Sequence, residues 1–234
     1  MTHAQPFRPG DRQGITLVAF DVDGTLYDQR ALRFRMGRDL LGRAFRHCDF
    51  AVFHVLGTYR ALREQLGDAE TRDFESQLVA RTATATRCPE SKVRTIVAEW
   101  IEHRPLAYLA DCRYHGVAEL FAGLRRHRKF IGVVSDYPAE AKLAALGLTA
   151  DFVVSATDSD VAVLKPHPRG LQQLMSRAAV SPDATLLIGD RTERDGSAAQ
   201  RASTRCLIRS SRAKSGWQTF AHFNDPLFGP MLAK

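Results

Sequence analysis

An apolar, β-rich run at residues 15–20 stops at once in Asp21-Val22-Asp23-Gly24-Thr25, the pattern of a strand buried on both faces that ends in a polar loop. Runs at 130–134, 151–155 and 185–188 repeat the plan, the first ending in Ser135-Asp136 and the last in Gly189-Asp190, and another lies at 205–209. Helix-like stretches at 115–127, 138–146, 168–179 and 194–202 separate them, so the second half alternates β and α and implies a parallel sheet covered on both sides. Ligands of open α/β sheets sit outside the carboxyl ends of the strands, which makes acids at those ends candidates for chemistry.

Residues 29 to about 110 break the pattern, with helical periodicity at about 31–46, 49–65, 68–84 and 89–102 and no clear strand. Pro89-Glu90 supplies a helix start and Pro105 a stop. The expected fold class is therefore α/β: a Rossmann-like parallel sheet core, residues 1–28 and 108–234, with an inserted helical cap domain at 29–107. A chain of 234 residues is long enough to bury such a core.

In Asp21-Val22-Asp23 two carboxylates stand two residues apart, on one side wherever the strand direction continues. Asp190 and Asp195 bring the strand-end acids to four. Gathering acids raises their pKa values and costs stability, so a divalent cation is the simplest explanation. Mg2+ suits the set, because it takes hard oxygens and keeps waters and a substrate phosphate. Ser135 ends a strand where its hydroxyl and nearby backbone N–H groups can hold phosphoryl oxygens, and Lys165, before Pro166, can neutralise both a phosphoryl oxygen and a carboxylate nucleophile.

In order along the chain, VAFDVDGTL (18–26), GVVSDYP (132–138), LKPHP (164–168) and LLIGDRTERDG (186–196) resemble the four motifs of the haloacid dehalogenase-like (HAD) hydrolase superfamily. The likeness is to its phosphatase branch with a helical cap after the first motif, the branch of the phosphoglycolate phosphatases and β-phosphoglucomutases, and it covers roughly 14–28 and 108–210. The resemblance implies that Asp21 attacks phosphorus and forms an aspartyl-phosphate, while Asp23 protonates the leaving alkoxide and then activates water. It further implies that Mg2+ is held by the carboxylates of Asp21 and Asp190 and the backbone carbonyl of Asp23, with Asp195 supporting the site through water or a hydrogen bond. Ser135 and Lys165 would hold the phosphoryl group, and Thr25 would orient Asp23 or that group. Arg191 departs from the family's smaller residue after the metal Asp; it and Arg194 read as surface arginines.

An acid at position 23 favours turnover of phosphate esters over halide release or a persistent phospho-enzyme. The expected activity is hydrolysis of a small phosphorylated substrate, with a phosphosugar mutase as the rival reading. A second rival is a protein that binds a membrane or protein partner. That possibility comes from residues 29–47, where six arginines, Arg30, Arg33, Arg35, Arg38, Arg43 and Arg46, face one acid, Asp39. Helical spacing sets Arg35, Arg38, Arg43 and Arg46 broadly opposite Phe34, Leu40, Leu41 and Phe45. A solvated outer face, a surface that draws in an anionic substrate, and a peripheral membrane contact all fit such a helix. The run at 50–56 reads as cap core, and Trp217, Phe220, Phe223 and Phe228 as a tail packed on the core or on a partner subunit of a homodimer, with a monomer equally compatible.

The net charge of +7 is otherwise scattered, with no aromatic-interleaved basic motif, so no nucleic acid partner is expected. Cys48, Cys88, Cys112 and Cys206 lack metal-ligand spacing and read as reduced thiols. The first fourteen residues have no apolar signal-peptide segment, and no run approaches the roughly 20 apolar residues that span a bilayer. A cytoplasmic protein is expected.

Overall fold

Side chains alternate in direction along β1 (Leu17–Phe20), and here both directions lead into apolar packing. Val18 and Phe20 join one core cluster, Leu17 and Ala19 a second, and all four are fully buried. The computed structural model describes residues 14–47 and 50–232, so Cys48 and the segment before residue 14 lie outside the described residues. The remaining strands are β2 (Phe130–Ser135), β3 (Phe152–Ser155), β4 (Thr185–Gly189), β5 (Arg205–Arg209) and β6 (Thr219–Phe220). They form one parallel sheet in the order β3-β2-β1-β4-β5-β6. The α/β class read from the sequence is the one observed.

Between β1 and β2 run α1 (Gln29–His47), α2 (Ala51–Asp68), α3 (Phe74–Thr86), α4 (Glu90–Val97) with a π-helical continuation at Ala98–His103, α5 (Leu106–Cys112) and α6 (Val117–Arg126). After β2 come α7 (Glu140–Ala145), α8 (Arg169–Ala178) and α9 (Ser197–Arg201). The helix expected at 194–202 starts differently, as a π-helical turn at Thr192–Gly196 that folds Asp195 back toward Gly189.

Two expectations need correction. α1 buries Leu32, Met36, Leu40 and Ala44, a stripe at i, i+4 spacing, and leaves Phe34, Leu41 and Phe45 exposed. Leu40 does not share a face with those three: at 3.6 residues per turn it lies about 120° from Phe34, whereas Arg38 lies only about 40° away. The tail also contains the unforeseen strand β6 and a 3-10 turn at Pro226–Met231. Phe220, Phe223 and Phe228 are buried there, with ring centroids 5.0–6.2 Å apart, and Trp217 sits against Gly196. The aromatic tail thus packs on its own core.

Candidate active site

Register brings the strand-end residues together. Phe20 pairs with Val133 on one side and Ile188 on the other, so Asp21, Ser135 and Asp190 emerge at one edge of the sheet. Two glycines permit the close approach: a Cβ on Gly24, whose φ is +95°, would come within 2.5 Å of the Asp190 carboxylate, and one on Gly189 within 2.4 Å of Asp195.

Lys165 is the hub. Its Nζ donates to Asp21 Oδ1 and Asp195 Oδ1, each at 2.6 Å, while its backbone N–H donates to Asp136 Oδ1 at 3.0 Å. The other oxygen of Asp195 accepts from the backbone N–H groups of Asp190 and Arg191, both at 3.1 Å. Thr25 Oγ1 donates to Asp21 Oδ2 at 2.8 Å, so the hydroxyl orients Asp21 and not Asp23. Ser135 is buried and its Oγ accepts from the Tyr137 N–H at 3.2 Å. The Asp23 carboxylate stands apart from the other acids, clasped by Lys142 Nζ at 2.6 and 2.7 Å and by the Tyr27 hydroxyl.

Charge decides what else belongs here. Burial pushes Asp21 well above the usual carboxylate range; Lys165 opposes this, while Asp195, Asp190 and Asp23 reinforce it. Burial and then Asp195 push Asp190 up to about 6. Burial would also raise Asp23, but Lys142 and Tyr27 more than offset it and hold that carboxyl below its ordinary value. Carboxylate oxygens of Asp21, Asp190 and Asp195 lie within 4.8 Å of one another, and Asp190 Oδ1 is buried with no hydrogen-bond partner among the described residues. Three clustered sets of hard carboxylate oxygens, one oxygen of them bare, fit a small divalent cation.

A pH signature follows. Folded Asp190 keeps its proton to about pH 6, against about 3.8 for the ordinary carboxyl, so the native state binds more protons in that window and metal-free stability falls as pH rises through it. The loss from Asp190 is about 3 kcal/mol. A Mg2+ ion held at these oxygens would compete with that proton, so the gain in Tm on adding Mg2+ is expected to be larger at pH 7 than at pH 5. Melting curves at both pH values check this, and equal gains would separate Asp190 from the metal.

Residues 15–203 match the family model of the haloacid dehalogenase-like hydrolases. The chain belongs to that family. It is 27% identical over 206 residues to a glyceraldehyde 3-phosphate phosphatase of Methanopyrus kandleri, covering 86% of this chain and 85% of that one. It is 24% identical over 181 residues to the pyrophosphatase PpaX of Oceanobacillus iheyensis, covering 75% of each. In structure it is similar to the HAD-hydrolase YfnB of Bacillus subtilis bound to magnesium, with a TM-score of 0.67 at 16% identity over 93% of this chain and 98% of that one.

Several residues of this HAD hydrolase's site escaped the sequence reading. Lys142 did leave a trace: Ala139, Leu143 and Leu146 are buried at i, i+4, i+7 around α7, and Lys142 at i+3 is a charge on that same inward face. Arg194 is not a surface residue. Its side chain is 6% exposed and donates to the Lys165 carbonyl at 2.8 Å and to Glu64 and Asp68 of α2 at 2.9 and 2.7 Å. Arg191, partly exposed, forks onto Glu64 at 3.0 and 2.9 Å. Both therefore tie α2 to the fourth motif, through partners 126 to 130 residues away that no local pattern announces.

Above the acids lies a cavity of about 630 Å³. Asp21, Asp23, Lys165 and Asp190 line it together with Leu32, Met36, Leu40, Leu56, Trp100 and Ile101, and Arg33, Arg60 and Arg63 add positive charge to the lining. Thr25 and Ser135 do not line it.

Proposed function

We propose that the chain is a Mg2+-dependent phosphatase that hydrolyses a small-molecule phosphate monoester through an aspartyl-phosphate on Asp21. The observation that carries this reading is the Asp21–Lys165 contact of 2.6 Å in the lining of the cavity, beside the bare oxygen of Asp190. Asp21 and Asp190, with the Asp23 carbonyl and Asp195 in support, would hold Mg2+, which would supply positive charge for the phosphoryl oxygens. Asp21 Oδ attacks phosphorus, the ester P–O bond breaks, and the leaving oxygen takes a proton from Asp23. In the second half Asp23 removes a proton from water, whose oxygen displaces Asp21 and releases phosphate. Thr25 fixes the rotamer of Asp21, and Lys165 neutralises the oxygen that is not attacking. Ser135, buried and outside the cavity lining, holds the loop after β2 through the Tyr137 N–H.

Asp23 must serve as acid and base in turn. Lys142 and Tyr27 favour its ionised, basic form, and an arriving phosphoryl dianion raises its pKa and favours the acid form. Lys142→Met is expected to let burial dominate, moving the acid limb of the kcat–pH profile up by about one unit or more. An unmoved limb in paired pH–rate profiles would remove Lys142 from this role.

The cavity also bears on the substrate. Its volume is in the range of about 300–1,000 Å³ that encloses drug-sized ligands, more than a triose phosphate or pyrophosphate fills, and part of its lining is apolar, with Leu32, Met36, Leu40, Leu56, Trp100 and Ile101 beside Arg33, Arg60 and Arg63. The favoured substrate is therefore a monoester whose alcohol part is larger than a triose and partly apolar. Phosphate release with Mg2+ from monoesters graded by size and polarity tests this, with the highest kcat/KM expected for the larger apolar members. No release from any of them, or isomerisation of a sugar phosphate without release, would overturn the reading.

A further inference from the structure

α1 presents different chemistry on its two sides. Leu32, Met36 and Leu40 face the cavity, while Arg30, Phe34, Arg38, Leu41 and Phe45 follow one another at spacings of four, four, three and four, which is a single stripe along the outer side. Phe34 and Phe45 are each 70% exposed, Leu41 47%, and Phe50, just before α2, 52%. Phe45 and Phe50 meet edge to face with centroids 5.7 Å apart, which joins Phe50 to the stripe. Three phenylalanines and a leucine left to water in one continuous ridge mark an interaction surface more than a solvated helix face.

The charges on the stripe narrow the occupant. Arg35 is paired with Asp111 and Arg43 with Glu99, but among the described residues Arg30 and Arg38 make no ion pair, so the ridge alternates aromatic rings with uncompensated guanidinium groups. A second copy meeting the stripe about a two-fold axis near its centre would set Arg38 against Arg38. An anionic lipid surface satisfies both halves, because phosphate headgroups take the arginines while the rings enter the acyl boundary. It also fits the inner side of the same helix, whose apolar cavity wall would receive the apolar part of a molecule leaving the bilayer.

We propose that α1, with Phe50, docks this hydrolase on an anionic bilayer surface, and that its substrate is an amphiphilic phosphate monoester partitioned into that bilayer. The substrate clause rests on the phosphatase reading; the docking does not. The test is co-sedimentation of the full chain at low ionic strength with phosphatidylcholine vesicles and with phosphatidylcholine–phosphatidylglycerol vesicles. The native chain is expected to pellet with the anionic vesicles only, and Phe34→Ser/Phe45→Ser and Arg30→Glu/Arg38→Glu each to lower the bound fraction at least about tenfold. Both variants should keep the native melting temperature, since the changed side chains face water. Absence of binding to anionic vesicles, or binding unchanged in both variants, overturns the proposal. So does a native dimer in sedimentation velocity that the variants dissociate, which would assign the stripe to a protein contact. Vesicle binding without phosphate release from any monoester would leave the docking standing and sink the phosphatase reading instead.

Discussion

Asp21→Asn is expected to lower phosphate release by about 10³-fold or more while the protein remains folded. The amide keeps the size and both polar contacts of the carboxylate: its oxygen can accept from Lys165, and its NH2 can donate to the Thr25 hydroxyl, which rotates to accept. It cannot attack phosphorus. Stability should not suffer, because burial already holds Asp21 well above the ordinary carboxylate range and a neutral side chain removes repulsion with Asp195 and Asp190. The metal-free Tm is thus expected to equal or exceed that of the native chain. The further rise on adding Mg2+ should shrink, since one of the three clustered carboxylates is gone. Initial rates with Mg2+ and melting curves with and without it read all three effects. A variant within about tenfold of native activity would place the nucleophile elsewhere. Lost activity with an unchanged Mg2+ response would keep Asp21 as nucleophile but remove it from the metal.

How far the sequence could be read follows from the range of the interactions. β1 and β4 are buried on both faces, so they appear as continuous apolar runs, and parallel register then sets Asp21 and Asp190 side by side. α1 is harder because apolar residues occupy both sides of it; periodicity alone cannot say whether Leu40 or Phe34 faces inward, and the packing of α1 against α5 turns the Leu40 side inward. The sequence puts Thr25 near the site but leaves it between two partners, and only the turn after Asp21, closed by the Leu26 N–H to Val22 O bond at 3.0 Å, returns its hydroxyl to Asp21. Arg194 is buried through Glu64 and Asp68, two acids of a helix more than a hundred residues earlier. β6 is two residues long, too short for any alternation, and exists through its pairing with Ile208 and Arg209.

Lys165→Met is expected to cost about 3–5 kcal/mol of stability in EDTA, the effect of leaving buried charges without their partner. Methionine preserves most of the aliphatic volume, so the change isolates the ammonium. That ammonium is 7% exposed and lies between Asp21 and Asp195, themselves 8% and 1% exposed, and it is kept charged: burial would lower its pKa, but Asp195, Asp21 and Asp136 outweigh that. Without it the carboxylates repel one another in a site that water reaches poorly. Two ways of removing that repulsion should each restore stability. Mg2+ neutralises the cluster directly, so the variant's gain in Tm on adding Mg2+ should exceed the native gain. Protons do the same: in the variant nothing opposes the upward push of burial on Asp21, so its deficit against the native chain should shrink as pH falls from about 7 toward about 5. Activity should stay low in both conditions, because neither replaces the ammonium N–H donor that Lys165 gives to Asp21 Oδ1. Denaturant unfolding across pH, with EDTA or Mg2+, measures the set. A deficit that ignores both Mg2+ and pH would mean that the methionine is simply a poor fit, and that Lys165 holds the site by packing rather than by charge.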